Sequence, residues 1–184
     1  LTAAQIEALQ ELPVFVAKNR KELWEYLALR HINGPSAWRS FSKAQFIANV
    51  HRNTGESLAE IARKIGDRHS TVERLFDGLA VLEQAESLKV FDREDRYKSH
   101  LAFSHLFTAL PYPNVREYLG MSATRPKDLF KPVPRKRSRE LGFFMTWLFG
   151  SEKANKPPLV QSQNPDLRIL EATLGTKKGV EALE

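Results

Sequence analysis

Arg68, His69, Ser70, Thr71 and Arg74 fall within a few residues of one another, at the start of an apolar run through Val72, Leu75, Phe76, Leu79 and Leu82. All are hydrogen-bond donors. Hydroxyls and guanidiniums hold phosphate oxygens, and an arginine fork also matches the N7 and O6 edge of guanine. This is chemistry of recognition rather than of bond-making. Lys43, Arg52, Arg63 and Lys64 add cations that are candidate phosphate contacts as a group, although any one of them reads equally as a solvated surface charge. Nothing comparable points to catalysis. The chain has no Gly-rich phosphate loop, no nucleophile elbow and no pair of acids in an apolar context. The histidines, His31, His51, His69, His100 and His105, have no carboxylate or cysteine at metal-ligand spacing and are expected on the surface or in packing roles. With no cysteine, disulfides and thiolate zinc sites are excluded. No active site, metal or cofactor is expected in this segment.

The donors need elements that present them. Ser57 and Glu60 have the spacing of a capping box and open a helix through Leu58, Ile61, Ala62 and Ile65 that ends at Gly66. Ser70 and Glu73 repeat the spacing and predict a separate second helix, with Glu73 as a cap rather than a base contact. A small residue at the crossing (Ala62), a turn glycine (Gly66) and apolar residues at Ile61, Ile65, Val72 and Leu75 are what a helix-turn-helix requires. That motif is predicted from Ser57 to about Gln84. Asp67 departs from the pattern, since an apolar residue is more usual after the turn glycine. An αα-hairpin within a helical bundle satisfies the same spacing. Gly78, inside the second helix, either weakens it or admits a close neighbour. A preceding helix capped by Ser42, with Ala44, Phe46, Ile47 and Val50 at helical spacing, should pack beneath the pair.

The remaining segments read more simply. Thr2 can cap a helix to about Leu12, and Val14–Ala17 looks like one buried strand. Asn19 with Glu22 opens a helix carrying Leu23, Trp24, Tyr26 and Leu27, which a turn at Asn33, Gly34 and Pro35 should stop. Tyr97–Leu110 predicts an amphipathic helix and Asn114–Gly120 a short one. Pro126–Arg139 is proline-rich and basic, and reads as a linker or as an arm able to lie along a DNA backbone. Leu141–Phe149 predicts a buried helix, too short to span a bilayer. Asn164, Pro165 and Asp166 read as cap, first-turn proline and dipole-matched acid of a last helix closed by Gly175.

Composition agrees with a globular chain: 184 residues, 42% hydrophobic and 27% charged. The net charge of +6 and pI near 9.6 favour a polyanionic partner. The excess lies in two blocks, 18–52 and 112–150, each five positive charges ahead, whereas 57–86 has six acids against four bases. The absence of a membrane-spanning run and of cysteine leads us to expect a cytoplasmic protein with no membrane partner. The first residue, Leu1, suggests a piece of something longer.

The stretch SLAEIARKIGDRHSTVERLFDGLAVLEQ (57–84) resembles the helix-turn-helix region of ParB-like proteins, and YLALRHINGPSAWRSFSKAQFI before it strengthens the likeness. The ending SQNPDLRILEATLG is similar only loosely. The resemblance implies a bacterial ParB/sulfiredoxin-domain protein whose N-terminal domain is largely absent, the strand at 12–18 being its last. The arginine-rich nucleotide or phosphate motif of that domain is missing, so nuclease or nucleotide-hydrolysing activity does not carry over. What carries over is DNA binding through Arg68–Arg74, in a family serving plasmid partition, transcription regulation or defence. The expected fold is mainly α: a connector over 1–40, a helix-turn-helix within a multi-helical ParB-like DNA-binding domain over 41–110, and a smaller C-terminal helical region with the basic arm over 111–184. Expected partners are duplex DNA and a second copy in a homodimer. The other reading is a protein-interaction, dimerisation or regulatory module of a ParB/sulfiredoxin-fold nuclease or nucleotide hydrolase.

Overall fold

The computed structural model describes residues 2, 14, 16–33, 38–98 and 101–184, and over these the chain is mainly helical. Among the described residues there is no strand, only an isolated antiparallel bridge between Ser151 and Lys156. The α-helices are α1 (Trp24–Ala28), α2 (Ser40–Thr54), α3 (Leu58–Lys64), α4 (Thr71–Ser87), α5 (Phe103–Ala109), α6 (Pro113–Tyr118), α7 (Ser138–Phe149), α8 (Asp166–Leu174) and α9 (Lys177–Leu183). None is long and apolar enough to cross a membrane.

The architecture is organised around α4. From Leu75 onward its apolar residues occupy every face: Leu75, Phe76, Leu79, Ala80, Val81, Leu82 and Ala85 are all buried. A helix apolar all round has to be enclosed by others, and α2, α3, α5 and α7 pack against it. Gly78 resolves its two readings here. A Cβ on it would come within 2.9 Å of Phe107 Cβ and 3.1 Å of Phe103 Cζ, so the missing side chain is what lets α5 lie against α4. One buried cluster runs from Trp24 to Leu174 and includes Leu141, Phe144, Met145, Trp147, Leu148 and Phe149 of α7. The apolar 141–149 segment is thus a buried helix, enclosed by its own chain.

Several boundaries differ from those predicted, each for a local reason. The helix predicted to be capped by Ser42 starts at Ser40, with Arg39 as its N-cap and no side-chain capping bond. It ends at Gly55, which adopts φ +73°, a left-handed conformation that costs glycine little. Val14 and Val16 are 78% and 86% exposed and outside regular structure, so no buried strand forms at these described positions. A strand needs a neighbour to bond its amides, and none is present among the described residues. Residues 3–12 of the first predicted helix, the turn at Gly34 and Pro35, Phe15 and His100 lie outside the described residues. The helix expected from Tyr97 begins only at Phe103; Tyr97 N–H donates instead to Phe149 O at 3.0 Å, joining the chain to the end of α7. Asn164 does not cap α8. Pro165 holds that position, and the Asp166 carboxylate turns back to accept the amides of Gln161 and Ser162, both at 2.8 Å.

The C-terminal helices are held by contacts far apart in sequence. Glu171 of α8 accepts the amides of Asn114 and Val115 at 3.2 and 3.3 Å and so satisfies the open N-terminus of α6. Asn114 Nδ2 returns a bond to Glu171 O at 3.0 Å.

Candidate nucleic-acid interface

The candidate site is the turn between α3 and α4. Ser57 and Glu60 form the predicted capping box: Glu60 N–H donates to Ser57 Oγ at 3.2 Å, and Ser57 N–H donates to Glu60 Oε2 at 2.8 Å. Those bonds from Ser57 hold the Glu60 carboxyl below its ordinary value. At the other end of α3, Gly66 turns left-handed at φ +68°. Its N–H reaches Arg63 O at 3.2 Å, and Asp67 N–H reaches Ala62 O at 2.9 Å. This paired closure satisfies carbonyls that a helix end leaves open and reverses the chain sharply.

The start of α4 is built differently from the predicted box. Ser70 sits at φ 54° and makes no side-chain capping bond, and Glu73 faces solvent and the loop that follows α6. The cap comes from Asp67. Its Oδ1 accepts His69 N–H at 3.0 Å and its Oδ2 accepts Val72 N–H at 2.7 Å. The first bond is an Asx turn, and the second satisfies an amide in the first turn of α4. The residue that departs from the expected pattern is therefore the one that fixes the turn. Ile61, Ile65, Val72 and Leu75 are buried beneath it and Ala62 packs at its edge, which locks the two helices together.

The turn raises Arg63, Arg68, His69, Ser70 and Arg74 into solvent, with Thr71 half-buried among them. Arg63 and Arg68 make no ion pair with any described residue. Arg74 lies 5.9 Å from the ring centre of Phe107, at the outer limit of a cation–π contact. The other three candidate cations are engaged within the chain. Lys43 Nζ donates to Ile32 O at 2.7 Å. Arg52 pairs with Glu83 at 2.6 Å and lies 4.2 Å over the Phe130 ring. Lys64 bridges Glu25 and Glu56 at 2.9 and 3.0 Å, and its bonds to these carboxylates raise its pKa.

One flank of the site is made by a segment that overlaps the basic, proline-rich stretch 126–139, read from the sequence as a linker or arm. Residues 121–134 cross α4 as a strap. Gln84, 6% exposed, bonds the Val133 backbone in both directions: Nε2 donates to Val133 O at 2.6 Å, and Oε1 accepts Val133 N–H at 3.0 Å. Phe130 packs 5.0 Å from Phe76 and 6.1 Å from His51, ring centre to ring centre. Arg125 forks onto Asp77 at 3.1 and 3.3 Å and reaches Glu73 at 4.0 Å. Under this strap the solvent stripe of α4 ends. Ser70, Glu73, Arg74 and Asp77 are at least partly open, whereas Ala80, Val81 and Gln84 are buried.

Asp67, Gln84 and Arg125 are the residues of the site that sequence reasoning missed. An acid two residues before a polar amide is an Asx-turn signal that points to Asp67, but no local pattern marks the other two. None of the families, curated proteins or solved structures compared with this chain matches it.

Proposed function

We propose that this chain is a DNA-binding module, similar in kind to the helix-turn-helix part of ParB-like proteins, that reads duplex DNA with the turn and first two turns of α4. The supporting observation is which of the donors the chain leaves uncommitted. Arg63, Arg68, His69, Ser70 and Arg74 stand exposed around one turn, while Lys43, Arg52 and Lys64 are bonded to other groups of the chain. In this reading Arg68 and Arg74 address base edges, and Arg63 and the Ser70 hydroxyl address phosphate. Docking is end-on, because beyond Asp77 the side of α4 that continues this stripe is buried at Ala80, Val81 and Gln84. The reading entails action on DNA in the cytoplasm, and a homodimer would match two half-sites on a two-fold operator.

Fluorescence-anisotropy titration with labelled duplex of random sequence, at several salt concentrations, tests it. Binding should weaken steeply with salt, the slope of log K against log salt changing by about 0.9 per phosphate contact. Selection from a randomised duplex pool should then enrich a motif. Substituting both Arg68 and Arg74 by Ala should weaken the enriched site more than random duplex. No binding at low salt rejects the reading, and equal losses on both duplexes remove Arg68 and Arg74 from base recognition.

A further inference from the structure

Building on the DNA-binding reading, we propose that Arg125 is a positioning residue of the same interface, which masks the Glu73 and Asp77 carboxylates on the stripe of α4 that phosphate must approach. The open stripe of α4 runs through Ser70, Glu73, Arg74 and Asp77, spaced so that they lie along one side of the helix. Two acids and one base make that stripe negative, the opposite of what a surface meeting phosphate needs. A carboxylate within a few ångströms of a phosphate oxygen repels it by an amount that grows as water is excluded. The chain places a cation on this stripe from the strap, 48 residues beyond Asp77 in sequence.

The geometry is suited to screening. The guanidinium of Arg125 meets both carboxylate oxygens of Asp77 and leans towards Glu73, and its side chain stays 38% exposed, facing the solvent that DNA would displace. Arg116 stands behind, its guanidinium donating to Ser122 O and so holding the start of the strap. Burial pushes the Asp77 carboxyl up, with Arg125 opposing that shift. The carboxylate is thus partly stripped of water and leans on its arginine partner for stabilisation. The strap therefore brings part of the basic 112–150 block to the acidic reading helix.

Four forms of the 184-residue chain test this by anisotropy against the same labelled random duplex: wild type, R125A, E73Q/D77N and R125A/E73Q/D77N. Affinity should follow the local charge. R125A should bind on the order of five- to tenfold more weakly at low salt, E73Q/D77N more tightly than wild type, and the triple variant should return to wild-type affinity or better. Recovery in the triple variant is decisive when R125A melts like the wild type by circular dichroism, because removing the acids also relieves the fold of an unpaired, half-buried carboxylate. Wild-type affinity in R125A overturns the proposal, as does a triple variant as weak as R125A. Should R125A fail to fold, judged by circular dichroism, E73Q/D77N alone carries the test: tighter binding supports masking and unchanged binding overturns it. Absence of binding by the wild type overturns the DNA reading itself and the proposal with it, whereas binding by the wild type that R125A retains removes the proposal alone.

Discussion

At the scale of single residues, the α3–α4 turn rests on one carboxylate. Asp67 holds the His69 amide and the Val72 amide together, and no other side chain among the described residues caps the start of α4. Asp67→Ala should cost about 1–2 kcal/mol of stability, as loss of a helix cap does, and urea denaturation measures it. Ser70 carries the opposite opportunity. It adopts φ 54°, a conformation costly for residues with a Cβ. Ser70→Gly should be neutral or stabilise by up to about 1 kcal/mol, so a clear fall in melting temperature would argue against strain at this position. Gly78→Ala tests packing against propensity. Alanine favours a helix by about 1 kcal/mol, yet its methyl would meet Phe107 Cβ at 2.9 Å. Overpacking costs about 1–3 kcal/mol, so we expect net destabilisation, read by thermal melting. The sequence displayed Gly66, the Ser57–Glu60 box and Gly78 plainly, because their roles are local or require the absence of a side chain. It misdirected at Ser70 and Glu73, whose spacing matches a box, because a left-handed Ser70 cannot turn its hydroxyl back to the first-turn amides. A cap from five residues upstream exists only once the turn has formed.

At the scale of elements, the strap decides how much of α4 is a surface. Its prolines and charges give it the composition of a linker, but Gln84 takes both polar groups of Val133 into the core. Gln84→Leu removes the partners of a buried N–H and C=O, which costs about 1–3 kcal/mol. The urea midpoint should fall, and hydrogen exchange at the Val133 amide should accelerate well beyond the change in global stability. Exchange that merely follows global stability would show that Gln84 does not hold the strap locally. Helix content and the burial of 141–149 were legible because periodic apolar residues report a face regardless of what covers it. The strap was not, since its anchoring residues are ordinary in type and 49 positions apart. The same reason hides the cap that Glu171 supplies to α6. Val14 and Val16 show the converse: a β-rich composition with no strand beside it among the described residues.

At the scale of the whole molecule, loops are pinned by carboxylates that accept backbone amides, which ties stability to pH. Asp95 accepts Lys153 N–H and the Ser151 hydroxyl, Asp166 accepts the Ser162 and Gln161 amides, and Glu60 closes its box with Ser57. These bonds hold all three below their ordinary values of 3.8 for Asp and 4.5 for Glu. A carboxyl depressed on folding stabilises the fold above its ordinary value and loses that contribution as pH falls through the depressed one. Asp77, raised by burial, acts in the opposite direction. Asp128 and Glu140 are lowered as well, so with five lowered carboxyls against one raised we expect the melting temperature to hold steady from neutral pH to about pH 5 and to drop below the ordinary carboxylate values. Asp95→Asn should flatten part of that drop; an unchanged profile would exclude Asp95 as a contributor.

The bonds between Gln84 and Val133 also set a schedule. Chains emerge N-terminus first at about 5–20 residues per second, so α4 is made roughly 2–10 s before the residue that closes over it. During that interval the helix can pair with α2 and α3, but one side of it lies open to whatever else is nearby. Arg125 arrives in the same window, after the acids it faces. The proposed reading surface is thus completed late, and a nascent chain halted before residue 133 would display the donors of the turn on a helix still lacking its cover.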